Sequence, residues 1–215
     1  MKYKLAIFDL DGTLMNTSPG IFASANHAMV ELGLQPEDDI KQLSKFIGPP
    51  INQCFRNTYN LDESLIGKAV EAYRKEYFAR GQYNAVIYPQ LEQTLSQLQD
   101  RGCLLAVGTL KHEELATNMM HYFKLEKYFS SIRGADTESK LSKADIVRKV
   151  LEDLHIQNSE AILIGDTIHD LEGAKGAGVG FIAVDYGFGF PLGQKREEGM
   201  LAVIKHPKEL LSYFV

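Results

Sequence analysis

The chain has 215 residues, 45% of them hydrophobic and 24% charged, which is typical of a globular protein. Its net charge of -5 indicates no electrostatic footprint for nucleic acid, and no apolar stretch is long enough to span a bilayer. Only two cysteines occur, Cys54 and Cys103, so we expect a reducing compartment rather than a disulfide framework. Met1–Lys4 leads directly into an apolar run, so we expect no signal peptide and a cytoplasmic location.

The first predicted element is a buried strand, Leu5-Ala6-Ile7-Phe8, which is followed by carboxylates at Asp9 and Asp11. Side chains two residues apart on a strand point to the same face, so these charges would repel each other at close range. Ionised carboxylates in such a place need a cation or hydrogen-bond donors. Asp-Gly after a strand is otherwise an ordinary turn, but the pair favours a metal site and nucleophilic chemistry.

Residues 15–86 have helical periodicity, and no segment among them has the pattern of a strand. Apolar residues from Ile21 to Leu32 share one helical face, and Gly33 is a stop signal. Further helices are predicted over Pro36–Phe46, Ile51–Thr58 and Leu65–Ala79. The sequence therefore predicts a smaller all-helical domain inserted after the first strand.

From about residue 87 onward, apolar runs alternate with helical patterns. The predicted strands are Cys103–Val107, Ser131–Arg133, Ala161–Gly165 and Gly180–Val184. The predicted helices are Tyr88–Arg101, His112–Phe123, Ser142–Leu154 and Ile168–Ala177. This alternation predicts an α/β fold, a Rossmann-like parallel sheet covered by helices, with ligands at the carboxyl ends of the strands. We expect residues 1–14 and 87–215 to form this core and residues 15–86 to form the helical domain.

The segment Asp9-Leu10-Asp11-Gly12-Thr13-Leu14 after a hydrophobic strand resembles the opening motif of the haloacid dehalogenase-like hydrolases, which are mostly phosphatases. The resemblance implies that Asp9 attacks phosphorus and that Asp11 acts as general acid and base. It also implies a Mg²⁺ ion held by Asp9 and by Asp11, the latter through its backbone carbonyl. Gly12 permits the chain to turn close to the phosphate.

Two further positions fit the phosphate-binding pattern of this family. Thr109 follows a predicted strand, and its hydroxyl would bind phosphoryl oxygens together with the backbone N–H of Leu110. A lysine at the start of a later helix would offset the charge of the nucleophile and the phosphoryl group. We favour Lys143 over Lys140 for this role; the ordinary alternative for Lys143 is an exposed residue in the first turn of a helix.

The last motif is acidic, with Asp166 directly after the strand Ala161–Gly165 and Asp170 four residues later. The resemblance implies that Asp166 contacts Mg²⁺ directly and that Asp170 acts through water or as support. Mg²⁺ prefers oxygen ligands and retains waters, so a few carboxylates and a phosphate suffice. The ordinary alternative is a strand-to-helix turn with Asp166 as the N-cap of the helix.

Other segments resemble the phosphoglycolate phosphatase-like branch of the family, in which a helical cap follows the first strand. These segments are Asn16–Ile21, Phe46–Pro50, Tyr122–Phe129 and Tyr186–Gly189. The candidates for substrate contacts are Asn16, Thr17, Ile47, Gly48, Pro49, Arg56 and Lys111. We interpret the aromatic stretch Tyr186–Phe190 as a loop over the edge of the sheet rather than as a platform for stacking bases.

The resemblance implies a Mg²⁺-dependent phosphatase that hydrolyses a small phosphomonoester, such as phosphoglycolate or a nucleoside monophosphate, through an aspartyl-phosphate on Asp9. The core residues do not distinguish it from a β-phosphoglucomutase-like phosphomutase or from a pyrophosphatase of the same branch. A metal- and phosphate-binding module without catalysis is a further alternative. The expected partner is a small phosphorylated metabolite, with no nucleic acid polymer and no membrane, and the chain is expected to be a monomer or homodimer.

Overall fold

The computed structural model describes residues 3–48, 51–59, 61–136 and 140–214. Its strands are β1 (Leu5–Phe8), β2 (Met15–Asn16), β3 (Val86–Ile87), β4 (Leu104–His112), β5 (Ser131–Ala135), β6 (Ala161–Gly165), β7 (Gly180–Val184) and β8 (Ala202–Ile204). Its α-helices are α1 (Ser18–Glu31), α2 (Ile40–Leu43), α3 (Ile51–Tyr59), α4 (Glu63–Ala79), α5 (Leu91–Asp100), α6 (Glu113–Tyr122), α7 (Lys143–Leu154) and α8 (Ile168–Ala177). Short 3₁₀ helices cover Ser44–Phe46, Gly81–Tyr83, Glu126–Tyr128, Asn158–Glu160 and Pro207–Ser212. None of the helices described is long and apolar enough to cross a membrane.

The chain forms two compact units. The first contains the residues up to Asn16 and those from Ile87 onward, and the second contains Thr17–Val86. In the first unit, a six-stranded parallel sheet has the order β5-β4-β1-β6-β7-β8. Helix α7 packs against β4 and β5, and α8 packs against β6 and β7. The predicted α/β fold class, a parallel sheet covered by helices, is confirmed.

Strand β1 lies at the centre of this sheet and positions the first motif. Every residue of β1 is buried, and Phe8 pairs with Val107 of β4 on one side and with Ile164 of β6 on the other. Strands buried on both faces have continuous apolar sequences rather than alternating ones, which is why β1, β6 and β7 were recognisable. Each large apolar side chain buried in this way contributes about 1.5–3 kcal/mol to folding.

The second unit is built from helices, apart from Val86 at its end. Helix α4 packs against α1 and against α3. Edge-on and stacked ring contacts fill the space around α3 and α4, and the rings belong to Phe46, Phe55, Tyr59, Tyr73 and Tyr77. The predicted helices over Ile51–Thr58 and Leu65–Ala79 correspond to α3 and α4 within two residues at each end.

The helix predicted over Pro36–Phe46 is wrong in its first part. The backbone N–H and carbonyl of Glu37 are bound by the side chain of Asn26, at 2.8 and 2.9 Å, so Glu37 does not take part in a helix. The helix begins only at Ile40, where the Asp39 carboxylate accepts from the N–H of Lys41 as an N-cap. A contact between distant residues therefore overrides the local helical pattern.

Three strand predictions also need correction. The two-residue strands β2 and β3 pair with each other at the two ends of a segment in which no strand was expected, because they are too short to show a period. Strand β4 continues to His112 rather than ending at Val107. Strand β8 was missed, since three apolar residues after a charged stretch carry little signal.

Candidate active site

The carboxyl edge of the sheet brings three of the predicted aspartates together. Asp9 directly follows β1, and its backbone N–H donates to the carbonyl of Ile164 in β6 at 2.9 Å. Asp166 directly follows β6, and Asp170 lies in the first turn of α8. One carboxylate oxygen from each of the three lies within 4.8 Å of the others, and all three residues are buried. These three side chains therefore meet at the carboxyl ends of β1 and β6, the edge of the sheet at which ligands were expected.

Lys143 joins this cluster from the first turn of α7. Its ammonium lies 2.5 Å from Oδ1 of Asp9 and 2.6 Å from Oδ1 of Asp170, and its side chain is only 4% exposed. Ser142 and Asp145 form a capping box that fixes the start of the helix. The alternative of an exposed first-turn lysine does not fit Lys143, whereas Lys140 is exposed.

Gly173 in α8 makes room for this lysine. A Cβ atom built on Gly173 would overlap Cβ and Cγ of Lys143, so any larger residue would push the lysine stem away from the carboxylates. The signal that was available, a glycine inside a helical pattern, indicates a close approach but not which group approaches.

Asp170 is held by hydrogen bonds through both of its oxygens. Oδ2 accepts from the hydroxyl and the backbone N–H of Thr167, at 2.6 and 3.0 Å, in a capping box at the start of α8. Oδ1 accepts from Lys143. In this geometry Asp170 supports the lysine and the helix, and Thr167 rather than Asp166 is the N-cap of α8.

The Asp166 carboxylate has a different set of partners. Oδ1 accepts from the Thr13 hydroxyl at 3.3 Å, and Oδ2 accepts from the backbone N–H groups of Phe188 and Gly189 at 2.7 and 3.2 Å. Burial raises the pKa of Asp166 to about 6 and the nearby Asp170 carboxylate acts in the same direction, whereas the hydrogen-bond donors lower the pKa and offset only part of this rise. Asp166 is thus a fixed, buried acceptor at the end of β6.

Asp9 is the least constrained of the three carboxylates. Among the residues described, the hydrogen-bond donor to its carboxylate is Lys143, at Oδ1. Burial raises the pKa of Asp9 to about 7; the Lys143 ammonium lowers it, and the carboxylates of Asp170 and Asp166 raise it further. Burial by itself lowers the pKa of Lys143, but Asp170 and Asp9 outweigh this and hold it above its ordinary value.

The donor set suits a divalent metal ion. When all are ionised, the three carboxylates exceed the one ammonium by two negative charges in a buried place. Burial raises the pKa of Asp9 to about 7, and the neighbouring carboxylates contribute to the rise. A hard cation with oxygen ligands, such as Mg²⁺, would compensate it. The metal set predicted from sequence also included Asp11, through its backbone carbonyl.

Asp11 and Lys111 form a pair beside this cluster. The Lys111 ammonium lies 3.1 Å from each carboxylate oxygen of Asp11, and the lysine side chain is 8% exposed. Gly12 follows with a left-handed backbone, φ +80°, as the predicted turn requires. Lys111 was a candidate for substrate contact; in the structure its ammonium forms an ion pair with the Asp11 carboxylate.

Thr109 and Leu110 lie on β4 beyond the point where β1 ends. Thr109 is buried, and its hydroxyl accepts from the backbone N–H of Lys111 at 3.2 Å. Leu110 is 44% exposed, so its side chain is not part of the buried core. Their role in phosphate binding stays a prediction.

The other candidates for substrate contact have varied environments. Asn16 ends β2, and Thr17 is buried. Arg56 is exposed and forms an ion pair with Glu63, with Nε to Oε1 at 2.5 Å. The partly buried Ile47 and the exposed Gly48 precede Pro49, which lies outside the described residues.

Four hydrogen-bond donors at this site were not predicted from the sequence. These are the Thr13 hydroxyl on Asp166, the backbone N–H groups of Phe188 and Gly189, and the Tyr186 hydroxyl, which donates to the Thr13 carbonyl at 3.3 Å. Backbone N–H donors cannot be recognised from the residue types in a sequence. The alternating glycines around Phe188 were the available signal for a close approach.

Comparison with known proteins places these features in a family. The haloacid dehalogenase-like hydrolase family matches residues 6–184 of the chain. A 5'-nucleotidase from Pseudomonas aeruginosa is 35% identical over 190 residues, covering 88% of this chain and 86% of that protein. A phosphoglycolate phosphatase from Aquifex aeolicus is 33% identical over 81% of both chains.

Two further comparisons extend this result. The tyrosine-protein kinase PtkA of Mycobacterium tuberculosis is 35% identical over 86% of this chain, which spans only 63% of that relative's length. The structure of a haloacid dehalogenase-like family hydrolase from Streptococcus pneumoniae superposes with a TM-score of 0.87 at 32% identity, covering all of this chain and 99% of that chain.

Proposed function

This chain belongs to the haloacid dehalogenase-like hydrolase family, and from that membership we propose that it is a Mg²⁺-dependent phosphatase with Asp9 as its nucleophile. The observation that carries the proposal is the environment of Asp9. Its carboxylate sits at the end of the central strand, next to Asp166 and Asp170, with Lys143 bound to one oxygen. The other oxygen, Oδ2, has no hydrogen-bond donor among the residues described, and the side chain is 10% exposed. An oxygen in that state is available to attack.

The proposed reaction has two displacements. In the first, Asp9 Oδ2 attacks phosphorus, the bond from phosphorus to the leaving oxygen breaks, and Asp11 gives that oxygen a proton. In the second, Asp11 takes a proton from water as the water oxygen attacks the phosphorus of phospho-Asp9, which releases inorganic phosphate and restores Asp9. The second displacement breaks the bond between phosphorus and the Asp9 oxygen. Asp11 loses its proton in the first displacement and regains one from water in the second, so the full cycle restores both residues.

Other residues would stabilise the charge that develops. Lys143 is fixed beside Asp9, where its ammonium offsets the negative charge of nucleophile and phosphoryl group. Thr109 and the backbone N–H of Leu110 would bind phosphoryl oxygens at the edge of the sheet. Asp9, Asp166 and the backbone carbonyl of Asp11 would hold Mg²⁺, with Asp170 as support. When bound, the ion supplies electrostatic stabilisation of phosphoryl oxygens.

We propose a small phosphomonoester as the substrate and the helical unit as the cap that selects it. The names of relatives support this class, since one is a 5'-nucleotidase and another a phosphoglycolate phosphatase. Cap residues that close over a site exclude water and contact the leaving group. Gly48 and Arg56 are the cap residues we propose for specificity, with Asn16 and Thr17 at its junction with the core.

The test is phosphate release by native protein and by Asp9→Asn, each treated with EDTA and assayed with and without Mg²⁺. The substrates are para-nitrophenyl phosphate, phosphoglycolate, nucleoside monophosphates and pyrophosphate, compared by kcat/KM. A further assay with β-glucose 1-phosphate and a bisphosphate primer, read as glucose 6-phosphate, tests for a phosphomutase. We expect Mg²⁺-dependent release by native protein and none by the variant.

Asp100→Asn, a change of the same type at an exposed residue ending α5, is the matched control and should retain full turnover. A native sample quenched in acid during turnover should contain one added phosphoryl group on the peptide that includes Asp9. Turnover by pure Asp9→Asn protein, or a phosphoryl group on another residue, would contradict the proposal.

A further inference from the structure

The aromatic loop after β7 lies against the residues of the site rather than simply over the sheet edge. It runs through Tyr186-Gly187-Phe188-Gly189-Phe190. Its backbone donates three hydrogen bonds to Asp166. The N–H groups of Phe188 and Gly189 reach Oδ2, at 2.7 and 3.2 Å, and the N–H of Phe190 reaches the backbone carbonyl, at 2.7 Å.

The same loop also contacts the segment that follows Asp9. The Tyr186 hydroxyl donates to the carbonyl of Thr13 at 3.3 Å. The Thr13 hydroxyl in turn donates to Oδ1 of Asp166 at 3.3 Å. The Asp166 carboxylate is therefore bound from two sides, by the loop after β7 and by the turn after β1.

The glycines of the loop are required by this close approach. A Cβ on Gly187 would lie 2.5 Å from Oδ2 of Asp166 and 2.5 Å from the backbone carbonyl of Gly12. A Cβ on Gly189 would lie 2.6 Å from the backbone carbonyl of Asp166. Real Cβ atoms do not approach other atoms this closely, so a side chain at either position would force the loop and Asp166 apart.

We propose that this loop is a positioning element that fixes the Asp166 carboxylate, and its distance from the turn after Asp9, for binding Mg²⁺. This inference rests on the proposed function, because it assumes that Asp166 is a metal ligand. Groups that orient the ligands of a metal contribute about 10- to 100-fold to its affinity. Here backbone N–H groups provide the orientation, so the specific requirement on the sequence is the absence of side chains at Gly187 and Gly189.

The experiment measures Mg²⁺ affinity directly, by isothermal titration calorimetry on EDTA-treated protein, without substrate. We expect Gly187→Ala to weaken Mg²⁺ binding by about 10- to 100-fold and its activity to recover at high Mg²⁺. The matched control is Gly67→Ala in α4, where an added Cβ meets nothing within 4 Å and Mg²⁺ affinity should not change. Circular dichroism and urea unfolding establish that each variant is folded.

Tyr186→Phe provides a second measurement that does not depend on a crowded position. It removes only the hydrogen bond to the Thr13 carbonyl, and we expect a few-fold weaker Mg²⁺ affinity with an unchanged far-ultraviolet spectrum. If Gly187→Ala does not fold, the result for Tyr186→Phe decides. Native Mg²⁺ affinity in a folded Gly187→Ala protein overturns the inference while the proposed function stands. Where Gly187→Ala does not fold, native Mg²⁺ affinity in Tyr186→Phe has the same consequence. A native protein that binds no Mg²⁺ overturns both.

Discussion

Asp9→Asn is expected to stabilise the metal-free protein at about pH 8, although it removes the proposed nucleophile. Burial raises the pKa of Asp9 from its ordinary 3.8 to about 7; Lys143 lowers it, and the carboxylates of Asp170 and Asp166 raise it further. Ionising Asp9 in the folded protein therefore costs free energy that the unfolded chain does not pay. Asparagine has nearly the shape of the protonated aspartate and never ionises, so it removes this cost.

The sign and size of the effect follow from proton linkage. Because the folded-state pKa of Asp9 lies above the unfolded one, the folded protein retains a proton that the unfolded chain releases between about pH 4 and pH 7. Stability is lost through that window as the pH rises, and the full penalty applies above it. The rise from 3.8 to about 7 is roughly three pKa units, or roughly 4 kcal/mol. For a chain of this size that corresponds to roughly 8–16 °C in Tm.

The assay is differential scanning calorimetry of EDTA-treated native and Asp9→Asn protein at several pH values from about 4 to about 8. We expect the variant to melt at the higher temperature at pH 8 and the difference to vanish near pH 4. Asp100→Asn, which changes an exposed aspartate, should follow the native protein throughout. A difference that is constant over this range, or a less stable Asp9→Asn protein at pH 8, would refute the argument from charge burial.

Three further substitutions test other contacts. Lys143→Met leaves the buried carboxylates of Asp9 and Asp170 without their ammonium. We expect the free energy of unfolding, measured in urea at neutral pH, to fall by about 3–5 kcal/mol and kcat to fall strongly; an unchanged urea midpoint would contradict the argument that these ion pairs are buried. Lys111→Met is expected to lower kcat about tenfold with little change in KM, if the lysine positions Asp11; steady-state kinetics in which KM rises instead would favour a substrate contact. Gly20→Ala places a Cβ on the carbonyl oxygen of Gly81, and we expect thermal melting to show a loss of more than about 2 kcal/mol; a native Tm would disprove the overlap.

The sequence was most informative where one element determines the position of a residue. The runs Ala161–Gly165 and Gly180–Val184 were predicted residue for residue, because a strand buried on both faces is a continuous apolar segment. The aspartates that directly follow such strands must then lie at the carboxyl edge of a parallel sheet. Asp9 and Asp166 could thus be brought together from sequence alone.

Contacts between distant segments could not be predicted in this way. The hydrogen bonds between the Asn26 side chain and the Glu37 backbone shorten a helix that the local pattern favours. The spacing of apolar residues does not indicate such a contact. The Lys111–Asp11 pair joins two residues that were each given a role toward substrate, because residue type alone does not say whether a lysine faces a ligand or a neighbour. The backbone N–H groups that donate to Asp166 could not be predicted from side-chain types.

The hydrogen-bond partners of the three clustered carboxylates support the proposal that Asp9, rather than Asp166 or Asp170, is the nucleophile. Asp170 uses Oδ2 to accept from Thr167 and Oδ1 to accept from Lys143, so it is fixed as a support. Both oxygens of Asp166 also have donors, from the aromatic loop Tyr186–Phe190 and from Thr13, and these fix the orientation that we propose for a metal ligand. Asp9 has its donor at Oδ1 alone. Burial raises the pKa of Asp9 to about 7, and its second oxygen, Oδ2, is the one that the proposed reaction uses.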